Sequence, residues 1–140
     1  MKKTLLALAA GFALTACGGT AESSNGVSRE EAQGQAEGAL LALDAGDYAQ
    51  FSRDFSPTLL EALPEKNFAE LRHRLEETSG HFQSVESLSE VSDPGYATFE
   101  MTASFEREPV RVLTWYPIGS HEMQGFWMDS ENLQAFHSDD

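Results

Sequence analysis

Four histidines are the first candidates for proton transfer or metal binding; they are His73, His81, His121 and His137. No two of them have the H-x-x-x-H spacing that places two imidazoles on one helix face for zinc. His73 lies between two arginines, off the apolar face of its predicted helix, so contact with solvent explains it. His137 lies close to Asp139 and Asp140, where a solvated acidic tail explains the residues better than a weak metal site. The sequence therefore predicts no metal centre.

Acid–base catalysis in a pocket would need a buried carboxyl or imidazole group with a shifted pKa, often beside a tyrosine. Asp47 is better explained as a helix cap, Tyr48 as a core residue and Glu100 as part of a polar strand face. No G-x-S-x-G, P-loop or G-x-G-x-x-G motif is present. We therefore assign no catalytic residue and no cofactor, and the sequence does not predict an enzyme. The residues available for such a site are Asp47, Tyr48, His81, Tyr96, Glu100, Tyr116 and His121.

Cys17 has a different chemistry, which the residues before it indicate. The chain begins MKKTLLALAAGFALTAC, with two lysines, an apolar run and the single cysteine. The run is too short for a hydrocarbon core, which needs about 20 apolar residues, so residues 1–16 are interpreted as a signal peptide. Leu14-Thr15-Ala16-Cys17 resembles the lipobox of bacterial lipoproteins. The resemblance implies cleavage before Cys17, a diacylglyceryl thioether on its sulfur, and an acyl chain such as palmitate on the new amine.

The same resemblance implies a location in the cell envelope. Each buried CH₂ group contributes about 0.8 kcal/mol, so two or three acyl chains hold a protein on a bilayer. The residue after the cysteine is Gly18 rather than Asp, which resembles the pattern sorted to the outer membrane of Gram-negative bacteria. We expect the periplasmic face of that membrane, or the outer face of the membrane in a cell that has only one. Residues 17–26 contain GGTAESSNG and are interpreted as a flexible tether.

Composition excludes one large class of partners. The chain has a formal net charge of −14, and loss of Lys2 and Lys3 with the signal peptide would make it more negative. Phosphate groups repel such a chain, so nucleic-acid binding is not expected. Anionic lipid surfaces repel it as well, so the expected attachment to the membrane is through acyl chains on Cys17 rather than through charge. With one cysteine, the chain cannot form an intramolecular disulfide.

Residues 28–79 have helical periodicity. Ser28 and Glu31 form a capping box at the start of a first helix, and Asp47 and Ser56 are placed to cap two shorter segments. A further helix is predicted over residues 65–79. The contact face of the first helix is mostly alanine, so it can approach its neighbours closely. The apolar residues of these helical segments are Ala32, Ala36, Ala39, Leu40, Leu43, Tyr48, Phe51, Phe55, Leu59, Leu60, Leu63, Phe68, Leu71 and Leu75.

After residue 80 the period changes to that of strands. Residues 81–91 alternate imperfectly, which indicates a strand with a bulge, and residues 96–106 alternate cleanly after an Asp-Pro-Gly turn. Two more strands are predicted over residues 110–116 and 121–128, and residues 131–140 are interpreted as a polar tail that frays. Helices followed by a strand meander predict an α+β domain over residues 27–130. Its N-terminal helices should pack on one face of a four-stranded antiparallel sheet.

Three segments of this domain carry a family resemblance. They are LLALDAGDYAQFSRDFSPTLLEAL, GHFQS and HEMQGFWM, and the pattern around them covers about residues 28–130. Together they resemble the nuclear transport factor 2-like superfamily with its cystatin-like α+β fold, and most closely its small exported bacterial domains of unknown function. The resemblance implies a curved sheet that wraps around the helices as a cone with one open end. Members use the cone as a small-molecule pocket, as an isomerase or dehydratase site, or as a binding module, and many dimerise through the outer sheet face.

These observations lead to a functional expectation. An apolar groove between the first helix and the concave side of the sheet would be lined by Tyr48, Phe51, Phe99 and Trp115, with core packing as the alternative. We expect a lipid-anchored module that binds a small apolar ligand or an envelope protein, with a homodimer as a further possibility. One alternative is a small isomerase- or dehydratase-like enzyme that uses a pocket tyrosine with an acidic or histidine partner. Another is a purely structural envelope lipoprotein.

Overall fold

The computed structural model describes residues 26–138. The predicted signal peptide, Cys17, all of the tether except Gly26, and the last two residues therefore lie outside the described part. The helices are α1 (Arg29–Ala45), α2 (Tyr48–Phe51), α3 (Pro57–Ala62), α4 (Glu65–Thr78) and α5 (Glu131–Ser138). The strands are β1 (Phe82–Val91), β2 (Tyr96–Phe105), β3 (Pro109–Pro117) and β4 (Gly125–Asp129). The predicted α+β class, with helices preceding a four-stranded antiparallel sheet, is confirmed.

Helix α1 begins and ends where its capping residues are. The Ser28 hydroxyl accepts a hydrogen bond from the Glu31 amide at 3.1 Å, which satisfies one of the unpaired amides of the first turn. Gly46 ends the helix in the left-handed conformation, with φ of 79°. Between these ends the alanine face is buried as predicted; its residues are Ala32, Ala36, Ala39, Leu40, Ala42 and Leu43.

The short helices α2 and α3 supply the bulk that this alanine face lacks. Asp47 and Ser56 cap them through their side chains, and Pro57 occupies the first turn of α3. The ring of Phe51 lies 4.9 Å from that of Phe68 in α4, measured between centroids. Edge-to-face contacts with neighbouring rings complete an aromatic cluster below α1. Its members are Tyr48, Phe51, Phe55, Phe68 and Phe126.

The sheet is an open meander in the order β1-β2-β3-β4, with every neighbouring pair antiparallel. The irregularity predicted for β1 is present as two register shifts against β2. Alternate residues of β2 and β3 face the helices and are buried; they are Phe99, Met101, Ala103, Phe105, Val110, Val112, Thr114 and Tyr116. These residues and the buried face of α1 belong to one hydrophobic core, except for the hydroxyl-bearing Thr114.

The last strand is shorter than predicted. Pairing with β3 begins at Gly125 rather than at His121, so residues 121–124 form a loop. The backbone of Met123 is used elsewhere: its N–H donates to the Asp54 carbonyl, and its carbonyl accepts from the Ser56 N–H, both at 2.8 Å. Met123 is fully buried. The loop therefore links the sheet to the α2–α3 connection, a long-range contact that local alternation does not encode.

The polar tail predicted from residue 131 is corrected by the structure, because residues 131–138 form helix α5. The Glu108 carboxylate holds the start of this helix, accepting from the hydroxyls of Ser79 and Ser130 and from the Asn132 amide. The side chain of Leu133 is only 4% exposed and joins the core. The prediction missed α5 because eight residues are too few to show a clear helical period, and the acceptor for its first turn lies in the β2–β3 turn.

Replacing Leu133 with alanine tests whether α5 belongs to the core. Removing a buried leucine side chain costs about 2–5 kcal/mol of unfolding free energy, because apolar burial is lost and a cavity remains. We expect a loss in that range for Leu133→Ala in urea denaturation monitored by circular dichroism. Leu41→Ala is the matched control, since Leu41 is 58% exposed on α1. Equal, small effects of both substitutions would show that the C-terminal segment contributes nothing to the core.

Candidate functional site

The space between α1 and the sheet is occupied by side chains of the domain itself. Phe51 and Phe99, two of the predicted pocket residues, are almost completely buried. The Phe99 ring lies 6.0 Å from that of Tyr116, in an edge-to-face arrangement. Tyr48 lies partly buried on the aromatic cluster, and its hydroxyl donates to the Leu63 carbonyl at 2.8 Å. These three side chains pack in the core and do not line an open groove.

Trp115, the fourth predicted pocket residue, lies on the opposite side of the sheet. It is paired with Gly125 of β4 and alternates with the buried Thr114 and Tyr116, which face the helices. A β-carbon at position 125 would overlap the indole ring, so the ring lies directly over Gly125. The predicted set of Tyr48, Phe51, Phe99 and Trp115 is therefore not brought together. The pattern of β3 alone could not decide this, because both of its faces carry large apolar residues.

A small apolar cavity is present near the C-terminal end of α1. It is bordered by Leu40, Leu43, Leu75 and Phe105, with Asp44 and Arg72 at its rim, and its volume is about 10 Å³. That space holds about one water molecule, whereas ligand pockets in proteins usually measure about 300–1,000 Å³. This cavity is far too small for an apolar metabolite.

The outer side of the sheet carries the exposed aromatic residues. We define the tryptophan surface as the outward side chains of β3 and β4, namely Arg111, Leu113, Trp115 and Trp127, with Glu100 and Asp129 at its border. Trp127 is 41% exposed, and Leu113 and Trp115 are partly exposed. Trp127 lies across from Leu113 in the register of the two strands. The surface is therefore a partly apolar patch on the face that the helices do not cover.

Arg111 organises the charge on this surface. Its guanidinium donates to Glu100 at 2.9 Å, lies 3.8 Å from a carboxylate oxygen of Asp129, and stands 5.1 Å from the centroid of the Trp127 ring. Both acids neutralise the arginine, and the cation lies over the negative face of the indole. An open cleft of about 320 Å³ borders Arg111 and Asp129 on the side of α5. Arginine and tryptophan side by side are the residue types most enriched at protein-binding hot spots.

The histidines that could have served in catalysis are engaged in surface ion pairs. His81 Nδ1 donates to Asp44 at 2.9 Å near the C-terminal end of α1. His121 Nδ1 donates to Glu31 at 2.9 Å near its N-terminal end. His73 faces Glu77 one turn along α4, at 3.6 Å. Each of these three histidines thus has a separate carboxylate partner, and they do not converge on one site; the side chain of His137 lies outside the described part of the structure.

The buried Tyr116 is the tyrosine with the most perturbed environment. Burial raises its pKa far above the ordinary value, and the carboxylates of Asp54 and Glu31 raise it further. Its hydroxyl donates to Gln35 at 2.8 Å, and the Gln35 amide donates to the His121 carbonyl at 3.2 Å. This network ties β3 to α1 across the core. Sequence reasoning missed Gln35 because a glutamine on a helix carries no signal of its distant partner.

The other candidates for acid–base chemistry are placed apart. Asp47 caps α2 as predicted, Glu100 belongs to the tryptophan surface, and Tyr96 begins β2 on the sheet exterior. Within residues 26–138 no group of three or more histidine, cysteine or acidic side chains is arranged to hold a metal ion. No helix in that described range is long and apolar enough to cross a membrane.

Comparison with known proteins adds no family assignment. No family model matches the chain, and no curated protein matches it significantly.

The His81–Asp44 pair gives a pH-dependent prediction. The hydrogen bond and the negative charge of Asp44 raise the pKa of His81 above its ordinary value of 6.5, with a smaller contribution from Glu106. Protonation is therefore favoured by folding, so the pair stabilises the fold below pH 6.5 and loses that contribution as pH rises through the raised pKa. NMR titration should give a raised pKa that falls on Asp44→Asn. An unchanged imidazole titration in this variant would contradict the pairing.

A second prediction concerns the contact between Trp115 and Gly125. Because a β-carbon at position 125 has no room, Gly125→Ala must displace the indole, at a cost of about 1–3 kcal/mol as for other overpacked sites. We expect lower stability in urea and an altered near-ultraviolet circular dichroism signal from tryptophan. Gly34→Ala is the control, because nothing lies within 4 Å of a β-carbon at that exposed helical position. A Gly125→Ala protein with unchanged stability and spectrum would contradict the stacked geometry.

Proposed function

We propose that this chain is an envelope lipoprotein, anchored through Cys17, whose α+β domain binds a protein through the tryptophan surface. The observation that carries the proposal is the division between the two sides of the sheet. The helix side is filled by the domain's own core, whereas the outer side presents Trp127, Trp115 and Arg111. A partner can therefore bind the outer side without any rearrangement of the core.

The chemistry of the surface supports a protein partner rather than a small apolar ligand. The exposed Trp127 and the partly exposed Leu113 offer apolar area, while Arg111 with its two acids offers polar pairing at the border. Protein interfaces combine such an apolar centre with a polar rim. A small apolar ligand would instead need a concave, mostly enclosed pocket. The cavity between α1, α4 and the sheet, about 10 Å³ in volume, does not offer one.

Membership of the nuclear transport factor 2-like superfamily is part of the proposal. The helix-then-meander order and the helices on one sheet face agree with what the resemblance implies. The alternative of an isomerase- or dehydratase-like enzyme receives less support from the geometry. Tyr116 is fully buried with its hydroxyl on Gln35, and His81 and His121 lie at opposite ends of α1. Neither Tyr116 nor His121 borders the open cleft that His81 lines together with Glu106 and Arg107.

Site-specific photo-crosslinking in intact cells tests the binding surface. A photoreactive phenylalanine replaces Trp127 in one strain and Leu41, which is exposed on α1, in a control strain. We expect a discrete protein adduct from position 127 and none from position 41. Adding Arg111→Ala should weaken the adduct strongly, because truncating a hot-spot arginine costs about 2 kcal/mol or more. An adduct of twice the chain's mass would identify the partner as a second copy. Equal labelling from both positions, or none from position 127, would contradict the proposal.

Acylation is tested separately by mass spectrometry of the mature protein. We expect an N-terminal peptide that begins at position 17 and carries the mass of two or three acyl chains. Cys17→Ser should abolish this mass and release the protein from the membrane fraction, because the acyl chains are the expected attachment to the bilayer. Ser23→Ala in the tether is the control and should leave the acyl mass unchanged. A mature protein with an unmodified cysteine would contradict the anchor but not the tryptophan surface.

A further inference from the structure

Three exposed apolar side chains lie at one end of the domain. Val91 and Tyr96 flank the β1–β2 turn, and Ile118 follows β3 and is 66% exposed. The two turns are adjacent, because Tyr96 pairs with Pro117 and the Ile118 N–H donates to the Gly95 carbonyl at 3.2 Å. Their apolar side chains therefore lie close together at the strand ends. Tyr96 is on the same outer face as the tryptophan surface, two residues before Thr98, which pairs with Trp115.

The described chain enters the domain at this same end. Gly26 lies against the backbone of Gly119, where an added β-carbon would come within 3.1 Å of the Gly119 nitrogen. The next residue, Val27, borders an open cleft of about 340 Å³ together with Val91 and Tyr96. We define the tether end of the domain by Gly26, Val27, Val91, Tyr96 and Ile118.

The distance from Cys17 to this end is limited by the chain between them. An extended residue covers about 3.3–3.6 Å, so Gly18 to Gly26 can span at most about 30 Å. A domain of about 110 residues has a radius of gyration of about 13 Å. If Cys17 is acylated, the tether end can rest on the bilayer with the chain relaxed. The opposite end, beyond Phe105, can reach the bilayer only with this segment almost fully stretched.

We infer that the tether end makes a shallow contact with the lipid bilayer and thereby orients the domain. This inference rests on the proposed anchor at Cys17. Ile118 and Val91 supply the apolar groups that enter the interface, and Tyr96 has the amphipathic ring that is enriched at headgroup level in membrane proteins. The contact is too small to hold the protein on its own, which is why the acyl chains remain necessary.

Charge indicates which lipid fits this contact. Glu90 and Asp93 are acidic side chains that border the cleft at this end, and the nearby Arg29 is engaged by Glu90 and by the Leu88 carbonyl. No cluster of cations is present among the described residues at this end to attract anionic headgroups. The matching surface is zwitterionic. Because β2 begins and β3 ends here, the strands run away from the bilayer, and Trp127 and Arg111 lie farther from the lipid than Trp115 does.

Fluorescence depth measurements on the mature, acylated protein test this orientation. Ile118→Cys and Leu41→Cys variants receive the same environment-sensitive thiol label. The label reacts only at the introduced cysteine, because the sulfur of Cys17 is blocked by its lipid. Both labelled proteins are inserted into phosphatidylcholine vesicles that carry spin-labelled lipids. We expect quenching at position 118 to be severalfold stronger than at position 41, with a blue-shifted emission. Added phosphatidylglycerol should reduce the quenching at position 118.

A second pair of variants separates the contact from the anchor. With the label placed at position 92 by Ser92→Cys, the substitutions Tyr96→Ser and Ile118→Ser should remove most of the quenching, while flotation with vesicles stays unchanged. Leu41→Ser with Leu60→Ser is the matched control and should preserve the quenching. Equal quenching at positions 118 and 41 would overturn the inference. A blue-shifted emission at position 118 that is seen in native envelopes but not in the lipid vesicles would also overturn it, because it would indicate a protein contact. Loss of flotation by the unmodified protein would instead refute the anchor itself.

Discussion

Close packing between the alanine face of α1 and the inner face of the sheet determines what this domain can do. Ala32 and Ala36 are fully buried in the same hydrophobic core as the inward side chains of β2 and β3, and the cavity beside this core measures only about 10 Å³. Interiors packed at this density do not admit ligands without a defect. The surfaces available for recognition are therefore external, and the largest exposed aromatic group lies on the uncovered side of the sheet. The functional proposal follows from this contrast between a filled helix side and an exposed outer side of the sheet.

Polar side chains fix the helix on the sheet without opening the core. The ion pairs of Glu31 and Asp44 with histidines hold the two ends of α1, and Gln35 receives the hydroxyl of Tyr116 between them. The Glu108 carboxylate likewise holds the start of α5, where it accepts from two hydroxyls and one backbone N–H. The contacts of Gln35 and of Glu108 with hydroxyl groups are partly buried, whereas the histidine contacts lie at the surface.

Much of the fold could be predicted because its signals are local. Ser28, Asp47 and Ser56 cap the helices as their positions indicate, and the alternation of β2 correctly assigns its buried face.

The failures concern long-range contacts. The alternation of β3 alone does not show which face the helices cover, and the burial of Thr114 and Tyr116 places Trp115 on the face opposite Phe99. Helix α5 was missed for the same reason, since its capping carboxylate comes from a turn more than twenty residues earlier. The anchor at Cys17 lies outside the described residues and remains a prediction from the sequence.

The most direct test of the filled interior is the unfolding free energy of an Ala36→Leu variant. Leucine and alanine have similar helix propensities, so the change reports the space between α1 and the sheet. Ala69→Leu, at an exposed position of α4, is the matched control. If the interior is filled, Ala36→Leu should lower the free energy of unfolding by about 1–3 kcal/mol relative to that control. An Ala36→Leu protein as stable as wild type, or more stable, would show that an apolar groove exists beneath α1 and would contradict the account.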